Sequence, residues 1–275
     1  MASQVEKARR FARLHEEGML ILPNAWDAGS AVIIASAGAA AIATTSGGVA
    51  WSMGRPDGQD LTREQMIGQV KSIARAVDLP VTADVEGGYG PRPEDVAATV
   101  EAAVAAGVVG VNIEDSKAAG GPLFSAAEQA ARLKAGSEAA EAAGLPELVI
   151  NARTDVFLYG IGEEEGRLAE VIGRAEAYAE AGATSLFVPG LLDLAILEQL
   201  VKSTPLPINA MAGPGAPSIA DLERVGVRRV SLGTALAQAA YGITRRIAAE
   251  ALEKGTFEAL DGAPEYGEVN SSFPR

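Results

Sequence analysis

No cysteine occurs anywhere in the 275 residues, and there is a single histidine. The first absence excludes disulfides, thiolate metal sites and a cysteine nucleophile, and it fits a reducing compartment. The second leaves His15 as the one imidazole; its place in a polar leading helix marks it as a surface residue rather than a catalyst. Basic residues are also short, 23 Lys and Arg against 36 Asp and Glu, for a net charge of -13. With no basic cluster to offset that balance, no nucleic-acid partner is expected. Long apolar runs are missing too. The longest uncharged stretch, 28–54, is mostly Ala, Gly, Ser and Thr and is broken at Gly38, which reads as a helix followed by a strand, not a membrane span. The amino terminus opens polar and charged, Met1-Ala-Ser-Gln-Val-Glu-Lys, unlike a signal peptide. A soluble, cytoplasmic protein with no membrane partner is the expectation.

What is present is a repeated pattern. After an amphipathic helix over about 3–17, short apolar runs that do not alternate recur near 19–23, 40–45, 80–84, 108–113, 147–151, 184–188, 206–210 and 228–232. Such runs suit strands buried on both faces. Ala-rich helical stretches separate them, as over 92–107, where Pro93 stands at the first turn and Gly107 at the stop; Gly38 and Gly182 end their stretches in the same way. Eight strand–helix rounds predict an α/β fold, a closed (β/α)8 TIM barrel, occupying 1–275 as one domain with 256–275 as a C-terminal arm. A doubly wound open sheet would need a phosphate loop after its first strand, and Asn24-Ala-Trp-Asp-Ala-Gly29 does not supply one.

A barrel keeps its active site on the loops that follow the strands, and there the polar residues gather. Strand two leads into Thr45, Ser46, Gly47 and Gly48, strand three into Asp84 and Glu86, and strand four into Glu114 and Asp115. Strand five leads into Asn151-Ala-Arg153-Thr-Asp155, and strand seven ends at Asn209. Positions i and i+2 of a strand point to one side, so Asp84 and Glu86 can converge, with Glu114 reaching them from the next strand. Carboxylates held together in this way call for a cation. Mg²⁺ suits them, with Mn²⁺ the alternative, because Mg²⁺ keeps several waters and takes few direct carboxylates. Arg153 offers a fixed fork to a substrate carboxylate or a salt bridge to Asp155. The Ser46-Gly47-Gly48 stretch can bring backbone N–H groups to an oxyanion or merely make a tight turn. Asn209 can bind substrate or serve structure.

The segments Pro23-Asn-Ala-Trp-Asp-Ala, Ser46-Gly-Gly, Gly54-Arg-Pro-Asp57, Asp84-Val-Glu-Gly-Gly-Tyr-Gly, Ile113-Glu-Asp115, Asn151-Ala-Arg-Thr-Asp155 and Gly226-Val-Arg-Arg-Val-Ser-Leu-Gly233 together resemble the isocitrate lyase and phosphoenolpyruvate mutase superfamily. The resemblance covers nearly the whole chain. It implies a barrel whose last helix is exchanged between partners, a homo-oligomer (dimer or tetramer), and Mg²⁺-dependent chemistry on a small 2-oxo or 2-hydroxy carboxylate. It also implies Asp84 as direct ligand, with Asp57, Glu86 and Glu114 acting mainly through water; the family usually carries Asp where this chain has Glu86.

One departure narrows the reading. Lyases of that superfamily carry a Lys-Lys-Cys-Gly-His type sequence after strand four, whereas this loop reads Ser116-Lys-Ala-Ala-Gly-Gly-Pro-Leu-Phe-Ser125. The thiol acid is gone, which leaves water, Tyr89 or another weak donor to protonate the product. Gly120 and Gly121 suit a lid or a plain turn. The expected activity is cleavage of a C–C bond in an oxaloacetate- or methylisocitrate-like substrate through a metal-stabilised enolate. A phosphonomutase or phosphonopyruvate hydrolase acting on a P–C bond is one alternative, and a non-catalytic metabolite binder is another.

Overall fold

In the computed structural model, which describes residues 2–273, the short apolar runs lie side by side as one wholly parallel sheet. Its strands are β1 Leu20–Leu22, β2 Asn24–Ala25, β3 Ile42–Thr44, β4 Val81–Asp84, β5 Gly110–Glu114, β6 Val149–Arg153, β7 Ser185–Phe187, β8 Ile208–Met211 and β9 Arg229–Ser231. All eight expected strands are there, the first of them longer and divided at Pro23. β1 pairs with β9 and β2 with β3, so this one stretch touches both the last strand and the second and closes the barrel. Proline has no N–H to give the ladder, but the Pro23 carbonyl still accepts from Ala43 N at 3.3 Å.

The helices are α1 Gln4–Arg13, α2 Ala28–Ser36, α3 Ser46–Ser52, α4 Arg63–Ala76, α5 Pro93–Ala106, α6 Ala126–Ala142, α7 Glu164–Glu180, α8 Leu194–Ser203, α9 Ile219–Arg224, α10 Ala235–Lys254 and α11 Tyr266–Ser271. Local chemistry starts them: Ser3, Asp27, Thr62 and Ser125 each accept from the backbone N–H three residues on, in capping boxes. Gly107 ends α5 in the left-handed conformation at φ 99°, which a Cβ would oppose. Small residues let α5 and α6 approach closely; a Cβ on Gly136 would lie 3.2 Å from a Val100 methyl.

His15 departs from expectation. α1 ends at Arg13, and the chain turns the imidazole under the amino-terminal end of the barrel, where only 5% of it is exposed. Its ring packs edge-on against Phe11, Nδ1 lies 2.8 Å from the Phe11 carbonyl, and Nε2 faces Arg229 Nη1 at 3.5 Å. Burial, and then the charge on Arg229, push the imidazole down to about 4, against the pull of the Phe11 carbonyl. The folded protein therefore keeps His15 neutral where the unfolded chain protonates it. The stability this confers is present above the ordinary histidine range and is lost as pH falls from about 6.5 toward 4. Urea unfolding is expected to show about 2 kcal/mol less stability near pH 4.5 than near pH 7 from this group, a slope that His15→Gln should remove. An unchanged slope in the variant would rule the imidazole out as its source.

The carboxyl-terminal helix α10 buries only Ala237, leaving Tyr241, Ile243 and Leu252 exposed. An apolar groove of about 960 Å³ runs nearby, lined by Leu14, Met19, Ile21, Trp26, Ile33 and Leu236 among others. Beyond α10 lie a short 3₁₀ turn at Glu258–Leu260 and α11, neither with a buried residue. Among the described residues no helix is long and apolar enough to cross a membrane.

Candidate active site at the carboxyl ends of the strands

Asp84 is the last residue of β4, whose four residues are all buried. Three groups fix it. Its backbone N–H donates to Thr44 Oγ1 at 2.9 Å, and its Oδ2 accepts from Ser46 Oγ at 2.9 Å and from Ser46 N at 3.3 Å. Ser46 is the first residue of α3, and Thr45 is its N-cap without a side-chain capping bond. The expected loop at 46–48 is thus the first turn of a helix. Its glycines are required by close approach: a Cβ on Gly47 would lie 2.8 Å from Asp57 Oδ2, and one on Gly48 would lie 2.7 Å from Thr45 Cγ2 and 2.8 Å from Trp26 Cβ.

Glu86 reaches the same place by a route that strand alternation does not describe. β4 stops at Asp84, and Glu86 and Tyr89 both take left-handed backbone, at φ 52° and 58°, in a turn that ends at Gly90. The turn brings Glu86 N to 3.4 Å from Asp84 Oδ1 and lets Tyr89 Oη donate to Glu86 Oε1 at 3.2 Å. Left-handed backbone in non-glycine residues is costly and survives where surrounding structure imposes it.

Glu114 and Arg153 end neighbouring strands in register, and Arg153 Nη1 lies 3.0 Å from Glu114 Oε2. The rest of the guanidinium is taken by Asp155, through Nε at 2.6 Å and Nη2 at 3.2 Å. The ion pair that competed with substrate binding in the sequence reading is therefore made. Ser116 Oγ donates to Asp155 Oδ2 at 2.6 Å, while Asp115 Oδ1 accepts from Asp155 N at 3.0 Å and Asp115 Oδ2 is held by Arg174 and Tyr178. Sequence reasoning missed Ser116 as a contributor. The signal was there, since Ser116 lies two positions beyond Glu114 on nearly extended chain.

The electrostatics are those of crowded acids. Burial first, then Asp84 and Asp57, push Glu86 up to about 7. Burial raises Glu114 against the pull of Arg153, with Asp155, Asp84 and Glu86 adding to the rise. Asp57 is raised by burial and by Asp84. Burial, followed by the charges of Glu86, Asp84 and Glu114, holds the Tyr89 phenol protonated. Burial opposes the charge on Arg153, but Glu114, Asp155 and Asp84 outweigh it and keep the guanidinium ionised. Four acids facing one arginine form a set that a hard cation would relieve. Among the described residues, however, no three acidic or imidazole groups gather closely enough to enclose an ion by themselves.

Asn209 is buried completely, its amide engaged with Ser231 at 3.1 Å and 3.2 Å, and no hydrogen bond among the described residues joins it to the acids. The loop after β5 is folded on itself by the Ser116–Leu123 bridge and by Lys117 N donating to Pro122 O at 3.0 Å. Lys117 Nζ lies 3.9 Å from Glu128 Oε2 and 5.0 Å from the Phe124 ring centroid.

Comparison with known proteins finds relatives over most of the chain. The family model for phosphoenolpyruvate phosphomutase matches residues 11–252. An uncharacterized protein of Mycobacterium tuberculosis (strain H37Rv) is 37% identical over 225 residues, covering 82% of this chain and 81% of that protein. The 2-methylisocitrate lyase of Escherichia coli (strain K12) is 33% identical over 207 residues, 72% of this chain and 67% of the lyase. The oxaloacetate decarboxylase of Rhodopseudomonas palustris (strain BisA53) is 34% identical over 186 residues, 66% of this chain and 60% of the decarboxylase. Among solved structures, a candidate lyase/mutase from Burkholderia cenocepacia J2315 superposes with a TM-score of 0.90 at 37% identity, covering 98% of this chain and 95% of that one.

Proposed function

Since this chain belongs to the phosphoenolpyruvate mutase and isocitrate lyase superfamily, we propose that it is a Mg²⁺-dependent carbon–carbon lyase or decarboxylase acting on a 2-oxo or 2-hydroxy carboxylate of the oxaloacetate or methylisocitrate type. The observation that carries this reading is the meeting at the barrel mouth of Asp84, held by Ser46, of the Glu86 amide beside Asp84 Oδ1, and of Glu114 paired with Arg153. Asp84, held in place by Ser46 and Thr44, would bind the ion directly, and Asp57, Glu86 and Glu114 would act through its waters; when bound, the ion would supply stabilisation of the negative charge that develops on the substrate oxygen.

The remaining work falls to the chain's own side chains. Arg153, locked in orientation by Asp155 and Ser116, presents Nη1 to a substrate carboxylate in the place Glu114 now takes. In oxaloacetate decarboxylation the C3–C4 bond breaks, carbon dioxide leaves, and the electron pair passes into the enolate of pyruvate. C3 then takes a proton from Tyr89 Oη or water, Glu86 being the group that accepts from that phenol. A P–C reaction is less well supported, because the only lysine in the β5–α6 loop is occupied by Glu128 and Phe124.

The test is pyruvate release, coupled to lactate dehydrogenase, from oxaloacetate, methylisocitrate, dimethylmalate and phosphonopyruvate, with Mg²⁺ and with EDTA. Metal-dependent pyruvate from a carboxylate substrate is expected. No turnover across the panel, or turnover indifferent to EDTA, would overturn the reading.

The proposal extends to assembly. The exposed apolar residues of α10 and the apolar groove beside α2 are complementary halves of a contact between copies, with α10 exchanged. Light scattering is expected to give a dimer or tetramer, and Ile243→Glu to shift it toward monomer; a wild-type monomer at micromolar concentration would remove the exchange.

A further inference from the structure

Arg132 lies on α6, outside the barrel wall, yet it is 1% exposed and no carboxylate pairs with it. A buried guanidinium normally needs a counter-ion. This one gives its hydrogen bonds to Gln129 Oε1 and to two backbone carbonyls, Gly87 O and Gly90 O, the latter at 3.1 Å. Those carbonyls bracket the turn in which Glu86 and Tyr89 adopt left-handed backbone. Thr99 Oγ1 lies 2.8 Å from the intervening Gly88 carbonyl and 2.9 Å from Asp95 O, its one proton shared between them, and the Glu86 carbonyl accepts from Glu114 N at 3.0 Å. The guanidinium also stacks on Phe124, 4.0 Å from the ring centroid, and Phe124 belongs to the loop after β5, its N–H bonded to Asp115 O at 2.8 Å.

We infer that Arg132 is a positioning residue: it holds the 86–90 turn in its left-handed form and thereby aims the Glu86 carboxylate and the Tyr89 phenol at Asp84. The inference rests on the proposed metal role of Asp84 and Glu86. Its physical basis is independent of that role, because neither left-handed residue is glycine and hydrogen bonds from beyond the turn must offset the cost. An apolar residue of similar length would fill the space without donors, letting the turn relax toward ordinary φ and swinging Glu86 away.

Two measurements on Arg132→Met test this. Amide exchange of Gly88, the turn's amide that donates to Val85 O at 2.9 Å, is expected to quicken at least about tenfold over wild type while that of β7 stays the same. Mn²⁺ affinity, read from the spin-resonance signal of the free ion, is expected to fall about 10- to 100-fold, as when other outer-shell partners of a metal site are lost. Arg132→Lys, which keeps charge and one reach of donors, should fall between the two. If wild type binds no Mn²⁺, the metal reading fails, and the exchange arm alone decides whether Arg132 holds the turn. If Arg132→Met does not fold, Arg132→Lys carries both measurements. Exchange at Gly88 and Mn²⁺ affinity both equal to wild type in the folded variant would overturn the inference.

Discussion

Asp84→Asn is expected to lower metal-dependent turnover by about a thousandfold or more while the protein still folds. The substitution keeps the size of the side chain and an oxygen for Ser46, so the bonds to Ser46 and Thr44 survive and only the long one from Glu86 N at 3.4 Å is given up. What it removes is the charge of the proposed direct ligand. In the metal-free protein that removal also relieves repulsion on Glu86 and Asp57, both of which Asp84 pushes up, so thermal stability should hold or rise. Loss of activity with an undiminished melting temperature is therefore the signature. Activity within tenfold of wild type would exclude Asp84 as the ligand.

Arg153 should separate structure from chemistry by the choice of replacement. Arg153→Ala leaves Glu114 and Asp155 without the cation that binds them at 3.0 Å and 2.6 Å; removing one partner of a buried pair costs about 3–5 kcal/mol. Its inactivity would say little about substrate. Arg153→Lys keeps the charge but loses the planar fork, so urea unfolding should show a smaller loss. The ratio kcat/KM should still fall about a hundredfold or more, because an ammonium cannot bond Asp155 through two nitrogens, as Nε and Nη2 do, while a third presents its N–H to the substrate. A lysine variant with wild-type kcat/KM would make Arg153 a structural pin for Asp155 only.

Most of the barrel was legible because strands buried on both faces must be apolar throughout and helices between them must begin and stop at recognisable residues. The capping serines and the stops at Gly107 and Gly182 mark those ends locally. The acids were legible for a similar reason: polar groups cannot remain inside the strand run, so they appear at its end. Less could be read about how they meet. Alternation predicted that Asp84 and Glu86 share a face of one strand, whereas a left-handed turn brings them together. Gly87, Gly88 and Gly90 announce a turn, but its left-handed form at Glu86 and Tyr89 depends on hydrogen bonds from Glu114, Thr99 and Arg132, brought in from other elements.

His15 and Asn209 teach the same distinction. A histidine following a polar helix looks exposed, yet the helix folds under the barrel and places the imidazole beside Arg229. An asparagine at a strand end looks available, yet Ser231 on the next strand occupies its amide. The sequence by itself determined the parallel α/β barrel and which end carries the acids, since both depend on periodicity and on the cost of burying polar groups. Only the tertiary structure decided which of those groups pair with one another, which backbone is held left-handed, and which side chains are buried, because each depends on partners brought together from distant strands.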